Sequence, residues 1–378
     1  MSEWKKVKLG EILQVKKGEY ITKKEAKEGI YPVILGGKEP AYYIDKYNHT
    51  GKAIVISRSG ASAGYVSFWN EPIFVTDGFL IEPKDDVNFE FLYYILKSKQ
   101  RELHNTQKGA AIPHVTPALI GSIDGLLPDI LTQQGIVSIL SRYDSLIENY
   151  QKQIKLLEEA AQRLYKEWFV DLRFPGYENT KIVDGVPEGW EKKKIKDVVE
   201  LQSGYAFKSS TFEDGCPYKI VTIKNVKDGI FESENVSTVR AVPEKMPNHC
   251  FLKDGDILLS LTGNVGRVCI VIGENYLLNQ RVAKLKTDYP AYTYCLFRSH
   301  EMFITVCNLA NGAAQQNVSP IRIGDIDIVL ANDELMKKFE GIAGVYVDEI
   351  IKHHRQIRLL TEARDRLLPK LMSGEIEV

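Results

Sequence analysis

Apolar residues recur at alternating intervals of three and four along two stretches, from Ile136 to Trp168 and from Phe339 to Leu371. A heptad pattern over several turns is typical of a long helix that packs against another helix. We predict that the two helices pair through Ile136, Leu140, Tyr143, Ile147, Tyr150, Ile154, Leu157 and Leu164 in the first and Phe339, Tyr346, Ile350, Ile357, Leu360 and Leu367 in the second.

The alternative is that each helix packs only on its own domain. A helix of about 33 residues is about 50 Å long, which exceeds the flank of a domain of this size. The helix ends also carry signals: Thr132 is the predicted N-cap of the first helix, and Asn332 that of the second. The Phe-Pro-Gly sequence at residues 174–176 is the predicted stop of the first helix, and Pro369 should end or kink the second.

The rest of the chain has a different pattern, in which short apolar runs alternate with turn residues. Examples are residues 53–57, 65–68 and 73–76, and later 257–260 and 268–272. Such runs are typical of strands. One short helix is predicted at Phe89 to Leu103, with a counterpart near Tyr292 to Leu309.

A repeat organises these elements into two tandem copies. The string KGAAIPHVTP at residues 108–117 answers NGAAQQNVSP at 311–320, and subtracting Gly109 from Gly312 gives an offset of 203. Leu156 answers Leu359 at the same offset, and Gly18 answers Gly204 upstream. We therefore predict an α+β fold with pseudo-two-fold symmetry. Mainly-β domains at 1–130 and 176–330 each have a short helix and are followed by long helices at 131–175 and 331–378.

Composition narrows the class without identifying a partner. The chain has 378 residues and a formal charge of −1, so any surface for a polyanion would have to be local. No apolar run approaches the ~18 residues of a membrane span, and the N-terminus lacks a secretory signal. All five cysteines lie in the second half without a Cys-x-x-Cys pair. We expect reduced thiols, no metal site and a cytoplasmic protein.

Catalytic motifs are missing from the sequence. There is no Pro-Pro pair of the kind that holds a flipped adenine in an amino-methyltransferase, and no Gly-x-Gly turn. Gly37-Lys38 and Gly51-Lys52 are each followed by the wrong residue for a phosphate-binding P-loop. We therefore expect that this chain is not itself an enzyme.

Several blocks together resemble the specificity (S) subunit of type I restriction-modification systems. They are VPEGWEKKKIKDVVELQSGYAF, DILLSLTGNVGRV, NQRVAKL and NGAAQQNVSPIRIGDIDI, each with a partner in the first half, and the resemblance covers essentially the whole chain. It implies two target recognition domains, each reading half of a bipartite double-stranded DNA site. It also implies that the helices form an antiparallel coiled coil, which spaces the domains and docks methyltransferase (M) subunits, expected to be two.

The same resemblance assigns the chemistry to other subunits. The M subunits carry S-adenosylmethionine and methylate adenine, while restriction (R) subunits use ATP and Mg for translocation and cleavage. The chain itself is expected to hold no cofactor. A type IIB-like specificity subunit remains an alternative, as does a coiled-coil scaffold that does not touch DNA.

DNA binding requires phosphate anchors together with groups at base edges. The Gln and Asn residues after the second Gly-Ala-Ala string could pair with adenine or satisfy loop backbone groups, and the lysines could contact phosphate or be solvated surface. Residues 279–281 could contact DNA or could instead be structural, since the first copy has Asp77-Gly78-Phe79 in that place. The candidates are Lys16, Lys17, Lys23, Lys24, Ser57, Arg58, Ser59, Ser62, His114, Gln202, Tyr205, Lys208, Ser209, Thr262, Asn264, Arg267, Gln315, Gln316 and Asn317.

Overall fold

A computed structural model describes residues 4–22, 24–84, 86–105, 114–234, 236–310 and 316–378. The chain forms two compact units, Met1–Leu146 with Leu360–Val378, and Ile147–Leu359. Within the described ranges, no helix combines the length and apolar character needed to cross a membrane.

The described residues of the first unit form nine strands and four short helices before the first long helix. The strands are β1 (Lys5–Lys8), β2 (Leu13–Lys17), β3 (Glu28–Ile34), β4 (Tyr43–Ile44), β5 (Lys52–Ser57), β6 (Val66–Asn70), β7 (Phe74–Val75), β8 (Gly78–Pro83) and β9 (Asp124–Leu127). The helices are α1 (Leu9–Ile12), α2 (Phe89–Ser98), α3 (Gln100–Asn105) and α4 (Pro117–Ser122). The sheet orders are β2-β8-β5-β6, β4-β3-β7 and β1-β9.

The long helix α5 (Ile130–Tyr165) continues as a π-helical turn, Lys166–Val170, and leads into the strands of the second unit. These are β10 (Ile182–Val183), β11 (Val186–Pro187), β12 (Glu191–Lys194), β13 (Val199–Ser203), β14 (Tyr218–Val221), β15 (Ser237–Val239), β16 (Phe251–Leu252), β17 (Ile257–Ser260), β18 (Val268–Ile270), β19 (Tyr276–Leu278), β20 (Val282–Thr287) and β21 (Asp327–Leu330).

The helices of the second unit are α6 (Pro290–Arg298), α7 (His300–Leu309), α8 (Pro320–Gly324) and the second long helix α9 (Asp333–Met372). Short 3-10 turns occupy Tyr177–Asn179, Ile195–Asp197, Ser209–Thr211 and Asn248–Cys250. The sheet orders are β13-β20-β17-β18, β15-β14-β19-β16, β12-β21 and β10-β11.

The strand orders repeat between the units, which confirms the duplicated mainly-β architecture. The sheet β2-β8-β5-β6 corresponds to β13-β20-β17-β18, and β4-β3-β7 corresponds to β15-β14-β19, with β16 added at one edge. The pairs β3–β7 and β14–β19 are parallel in both copies, whereas every other strand pairing in the described ranges is antiparallel.

The central strand of each larger sheet is apolar because both of its faces are covered. In β5, Ile54 and Ile56 belong to one core cluster, while Ala53 and Val55 belong to another. All residues of β17 are buried in the same way. An uninterrupted apolar run is the expected pattern for a strand buried on two sides.

The helix ends follow the sequence signals in part. Asn332 caps α9 as predicted, since its Oδ1 accepts the N–H of Leu335 at 2.9 Å. The cap of α5 was wrongly predicted: Asp129 accepts the N–H of Thr132 at 3.0 Å, and the helix begins one turn earlier. Pro369 lies inside α9, close to the end of the helix at Met372.

Each predicted short helix is in fact a pair of helices. In the second copy the break falls at Ser299, which has extended backbone angles and whose hydroxyl accepts the N–H of Met302 at 3.2 Å. A serine in that conformation starts a new helix rather than continuing the old one.

The heptad prediction is supported by burial. Every predicted seam residue is buried or half-buried, whereas the adjacent Leu156 and Leu359 are exposed. In the second unit the rings of Trp168 and Phe339 lie 5.7 Å apart, and those of Tyr150 and His353 lie 4.9 Å apart. The residue that comes later in α5 and its π-helical continuation contacts the one that comes earlier in α9, and the reverse holds for the other pair. The helices are therefore antiparallel at these contacts.

The helices also pack on the domains, in addition to packing against each other. In the first unit, Ile136 and Leu140 of α5 share a core with Leu368 and Leu371 of α9 and with residues of the sheet and α2. In the second unit, Tyr165 of α5 and Phe339 of α9 belong to the core that includes the large sheet.

A polar network anchors the helices in the first unit. The hydroxyl of Tyr94 on α2 donates to Asp144 of α5 at 2.6 Å, and the guanidinium of Arg364 on α9 lies 2.6 Å from the same carboxylate. Burial raises the pKa of the Tyr94 hydroxyl, with the charge on Asp144 adding to the effect. This network explains why a charged residue interrupts the second heptad seam.

Replacing Asp144 by alanine should lower the free energy of unfolding by about 2 kcal/mol. The change leaves the half-buried Arg364 guanidinium without its inner carboxylate, a loss that costs ~3–5 kcal/mol for a fully buried pair and less where solvent reaches. The matched control is Asp365→Ala. Asp365 contacts the same guanidinium at 2.9 Å but is 56% exposed, so its loss should cost less than about 1 kcal/mol. Equal losses in urea unfolding would contradict the assigned role.

Candidate nucleic-acid interface

In each unit a turn rich in glycine and hydroxyl residues (residues 57–62 and 262–267, the glycine turns) meets the end of the Gly-Ala-Ala string. The N–H of Val115 donates to the carbonyl of Arg58 at 2.9 Å, and the N–H of Val318 donates to the carbonyl of Leu261 at 3.0 Å. One β-bridge joins Ser59 to His114, and another joins Thr262 to Asn317. Both members of the first bridge correspond to those of the second at the offset of 203. Two stretches that the sequence singled out separately are therefore neighbours.

Two further segments join this surface through equivalent backbone hydrogen bonds. In the first unit, Gly18 donates to Gly78 at 3.0 Å and Arg58 donates to Asp77 at 3.2 Å. In the second unit, the corresponding bonds run from Gly204 to Val282 at 3.2 Å and from Leu261 to Arg281 at 3.0 Å. We call residues 16–18, 57–62, 76–77 and 114 the first rim, and residues 202–204, 260–266, 279–281 and 316–317 the second rim.

In each rim, close packing requires the glycine that directly follows β2 or β13. A Cβ at Gly18 would lie 2.5 Å from the carbonyl oxygen of Val75, and one at Gly204 would lie 2.3 Å from the carbonyl group of Asn279. Because backbone atoms stand in the way, no flexible side chain can move aside. Both glycines therefore allow two strands to approach at the rim.

Two cations of the first rim, Arg58 and Lys16, lie next to acidic residues. Arg58 lies 3.6 Å from the carboxylate of Asp77, which also accepts the hydroxyl of Ser59. The ammonium of Lys16 lies 2.6 Å from Glu82. Ser57 is buried, with its hydroxyl 3.4 Å from the carbonyl of Gly37, whereas Ser62 is half-buried and Lys17 and His114 are exposed.

Asn264 has a different role from the one predicted. Its side-chain amide donates to the carbonyls of Ile223 and Val226 at 3.0 and 2.7 Å, and its oxygen accepts the hydroxyl of Ser260 at 2.6 Å. These bonds occupy the amide inside the unit, so in this conformation Asn264 holds the turn and is unavailable to a base. Thr262 is also buried, and its hydroxyl donates to Asn317 at 2.7 Å.

Arg267 ends the same turn, and its positive charge is partly compensated. Its guanidinium lies 4.6 Å from the ring centroid of Phe303 and 3.7 Å from Asp228. The side chain is still 39% exposed, so one face remains accessible. Gln202 donates to Glu200 at 2.9 Å.

The remaining candidates include exposed residues, the half-buried Tyr205 and two residues outside the described ranges. Gln316 and Asn317 are exposed on the second rim. Tyr205 packs against Phe207 with ring centroids 5.1 Å apart, and Lys208 and Ser209 follow as exposed residues. Lys24 is exposed outside the first rim, while Lys23 and Gln315 lie outside the described residues.

Sequence reasoning missed two rim residues, Asp77 and Arg281. They are counterparts because the carbonyl of each accepts the equivalent backbone N–H, that of Arg58 or Leu261. They are nevertheless 204 residues apart rather than 203. Thr76 and Asn279 are still counterparts at the offset of 203, because their N–H groups donate to the equivalent strand residues Ile34 and Val221, each at 3.1 Å. Asp77 follows Thr76 directly, whereas Gln280 stands between Asn279 and Arg281. Gln280 is therefore the extra residue of the second copy. A fixed offset therefore misaligns the two turns, and only strand register brings the counterparts together.

The thiol of Cys307 lies 3.6 Å from the carbonyl of Val265 in the second rim, where it can donate a weak hydrogen bond. All five cysteines are free, and burial raises the pKa of the Cys295 thiol to about 12. Among the described residues, no three metal-binding side chains form a group that could hold an ion. The rims offer amides, hydroxyls, cations and backbone groups, which suit hydrogen bonding to a polar surface.

The family model described as the type I restriction modification DNA specificity domain matches residues 1–159 and 187–334. The matched segments cover well over half of the chain and include both rims. The chain therefore belongs to this family of type I specificity subunits.

Individual relatives agree with this assignment. The chain is 29% identical to the type I restriction enzyme MjaVIII specificity subunit of Methanocaldococcus jannaschii, over 100% of this chain and 93% of that protein. It is 28% identical to the MjaIX specificity subunit of the same organism, over 86% of this chain and 78% of that protein. A crystal structure of the type I restriction-modification S subunit from M. genitalium shares the fold, with a TM-score of 0.58 and 19% identity over 98% of this chain and 96% of that one.

Replacing Asn264 by alanine should lower the free energy of unfolding by about 1–3 kcal/mol, because two part-buried carbonyls and the buried Ser260 hydroxyl lose their partner. Asn248→Ala, at an exposed position of the same unit, should change it by less than about 0.5 kcal/mol. Urea denaturation of both variants measures the difference. If Asn264→Ala kept wild-type stability and lost only DNA selectivity, Asn264 would be a reading residue after all.

Proposed function

We propose that this chain is the DNA-recognition subunit of a type I restriction-modification complex. Each recognition domain reads one half of a bipartite double-stranded target through its rim. The observation that carries this proposal is the duplicated rim: the same backbone hydrogen bonds assemble four separate segments in both units, while the side chains presented differ. The same main-chain arrangement with different exposed side chains in the two units suits two half-sites that differ in sequence.

The exposed groups suit base-edge recognition in the major groove. His114 in the first rim and Gln316 and Asn317 in the second occupy the ends of the Gly-Ala-Ala strings and are exposed. Amide side chains pair with the N6 and N7 edge of adenine, and an imidazole can donate to or accept from a base. The hydroxyl of Thr262 fixes the Asn317 amide at 2.7 Å before DNA arrives, which reduces the entropy lost on binding.

The long helices are proposed to set the unread spacer and to dock two methyltransferase subunits. Helix α5 has 36 residues and α9 has 40, and each contributes side chains to the cores of both units. At ~1.5 Å per residue these helices are about 54 and 60 Å long. Helices continuous from one unit into the other would transmit a fixed spacing.

Catalysis is assigned to the partner subunits. Methyl transfer would use S-adenosylmethionine bound by the M subunits, and translocation and cleavage would use ATP and Mg in the R subunits. The purified chain should then neither methylate nor cleave DNA, and the assembled complex should methylate both halves of one target.

Reciprocal substitutions test the division between the two readers. Asn317→Ala should relax the preference at one half-site, and His114→Ala should relax it at the other, because each residue lies on one rim only. Losing a base contact should cost ~1–3 kcal/mol, or about 5- to 150-fold in selectivity. The measurement is methylation by the reconstituted complex on duplex libraries randomised in one half at a time. Equal degradation of both halves by either variant would refute the two-reader proposal.

A heptad insertion tests the role of the helices in spacing. Adding seven compatible residues to both helices, near Leu157 and near Leu360, preserves the seam and lengthens the pair by about 10 Å. Duplex DNA advances ~3.4 Å per base pair, so the preferred spacer should grow by about 3 base pairs. Methylation of duplexes with stepped spacers gives the optimum.

The control inserts the heptad in one helix only, which mismatches the seams and should abolish methylation rather than shift its optimum. An unchanged optimum in the double insertion, with both half-sites still read, would show that the helices do not set the distance. Some affinity is expected to be lost in that variant, because the added base pairs also rotate one half-site about the duplex axis.

A further inference from the structure

The two rims carry opposite charges at one equivalent backbone position. In the first rim the carbonyl of Asp77 accepts the N–H of Arg58 at 3.2 Å, and in the second the carbonyl of Arg281 accepts the N–H of Leu261 at 3.0 Å. The acceptor thus changes from an acidic to a basic residue between the copies. The donor changes from a basic to an apolar residue.

In the first rim this position cancels a positive charge. The carboxylate of Asp77 lies 3.6 Å from the Arg58 guanidinium and accepts the hydroxyl of Ser59. Asp77 is only 27% exposed, so its charge is not fully screened by water. Arg58 is therefore held near an internal countercharge, which competes with any external anion.

In the second rim the same position carries a positive charge that has no countercharge among the described residues. Leu261 is 3% exposed and belongs to the core, so the arginine of the first rim has no counterpart. Arg281 is exposed, and among the described residues its side chain takes part in no ion pair or hydrogen bond. Its backbone is fixed by a turn in which Val282 donates to Asn279 at 3.0 Å.

We propose that Arg281 anchors a DNA phosphate beside the second half-site, and that the first rim lacks this anchor because Asp77 neutralises Arg58. This inference rests on the proposed function. An exposed guanidinium on a fixed turn can bind phosphate with two parallel hydrogen bonds. The contact carries no sequence information, so it adds affinity without selectivity. This one position then contributes to salt-dependent binding in the second reader and not in the first.

Titration of a cognate duplex with the reconstituted complex of this chain and its methyltransferase subunits, at several salt concentrations, tests the anchor. Arg281→Gln should reduce the slope of log affinity against log salt by about 0.9, the value for one phosphate contact. The loss should be the same for targets that differ in sequence. Arg281→Lys keeps the charge and should keep the slope.

Lys286→Gln is the matched control. Lys286 lies near the end of β20, the strand that follows the turn with Arg281, and its ammonium is 3.0 Å from the carboxylate of Glu200. This variant changes the net charge equally and should leave the slope unchanged. Equal effects of the two glutamine variants would overturn the anchor, and so would a loss confined to one base pair, since Arg281 would then read a base.

The first rim provides the reciprocal test. Asp77→Asn should release Arg58 and steepen the slope by about 0.9, and adding Arg58→Gln should remove that gain. If Asp77→Asn left the slope unchanged, Asp77 would not be masking an anchor. Absence of specific binding by the wild-type complex would instead refute the proposed function, and the inference with it.

Discussion

Burial of a central strand on both faces is the constraint on which both units depend. Strand β5 places alternate side chains in two different cores, and β17 does the same in the second unit. A one-residue slip would exchange those two sets of side chains, so the register is strongly specified. The glycine turn begins where this strand ends, and its position follows from that register. The neighbouring strand then delivers Asp77 or Arg281 to the same place.

The rims show how one backbone plan supports two different sets of exposed side chains. The backbone hydrogen bonds that join the four segments are the same in both units, so they constrain the main chain and leave the exposed side chains free to differ. Asn264 illustrates the division, since its amide satisfies two carbonyls within the unit while the nearby Asn317 remains exposed. A residue type suited to base recognition can therefore be structural when its partners already lie inside the protein.

The long helices combine an apolar seam with polar contacts that are specific to each unit. In the first unit Asp144 joins Tyr94 to Arg364, and in the second Glu158 accepts the hydroxyl of Tyr294 at 2.7 Å. These networks do not occupy equivalent positions in the repeat. Apolar seam contacts are less selective than the polar groups, which require the correct partner in the correct place.

The sequence by itself determined the tandem repeat, the long helices and their seam, and the family, because periodicity and repeated motifs are properties of the linear chain. It also located the glycine turns and the Gly-Ala-Ala strings. Only the tertiary structure decided that these stretches are neighbours, that Asn264 is engaged internally, and that Asp77 and Arg281 are counterparts. Whether a charge is cancelled or free depends on residues brought close by strand register, and the single extra residue Gln280 conceals that register from any comparison at a fixed offset.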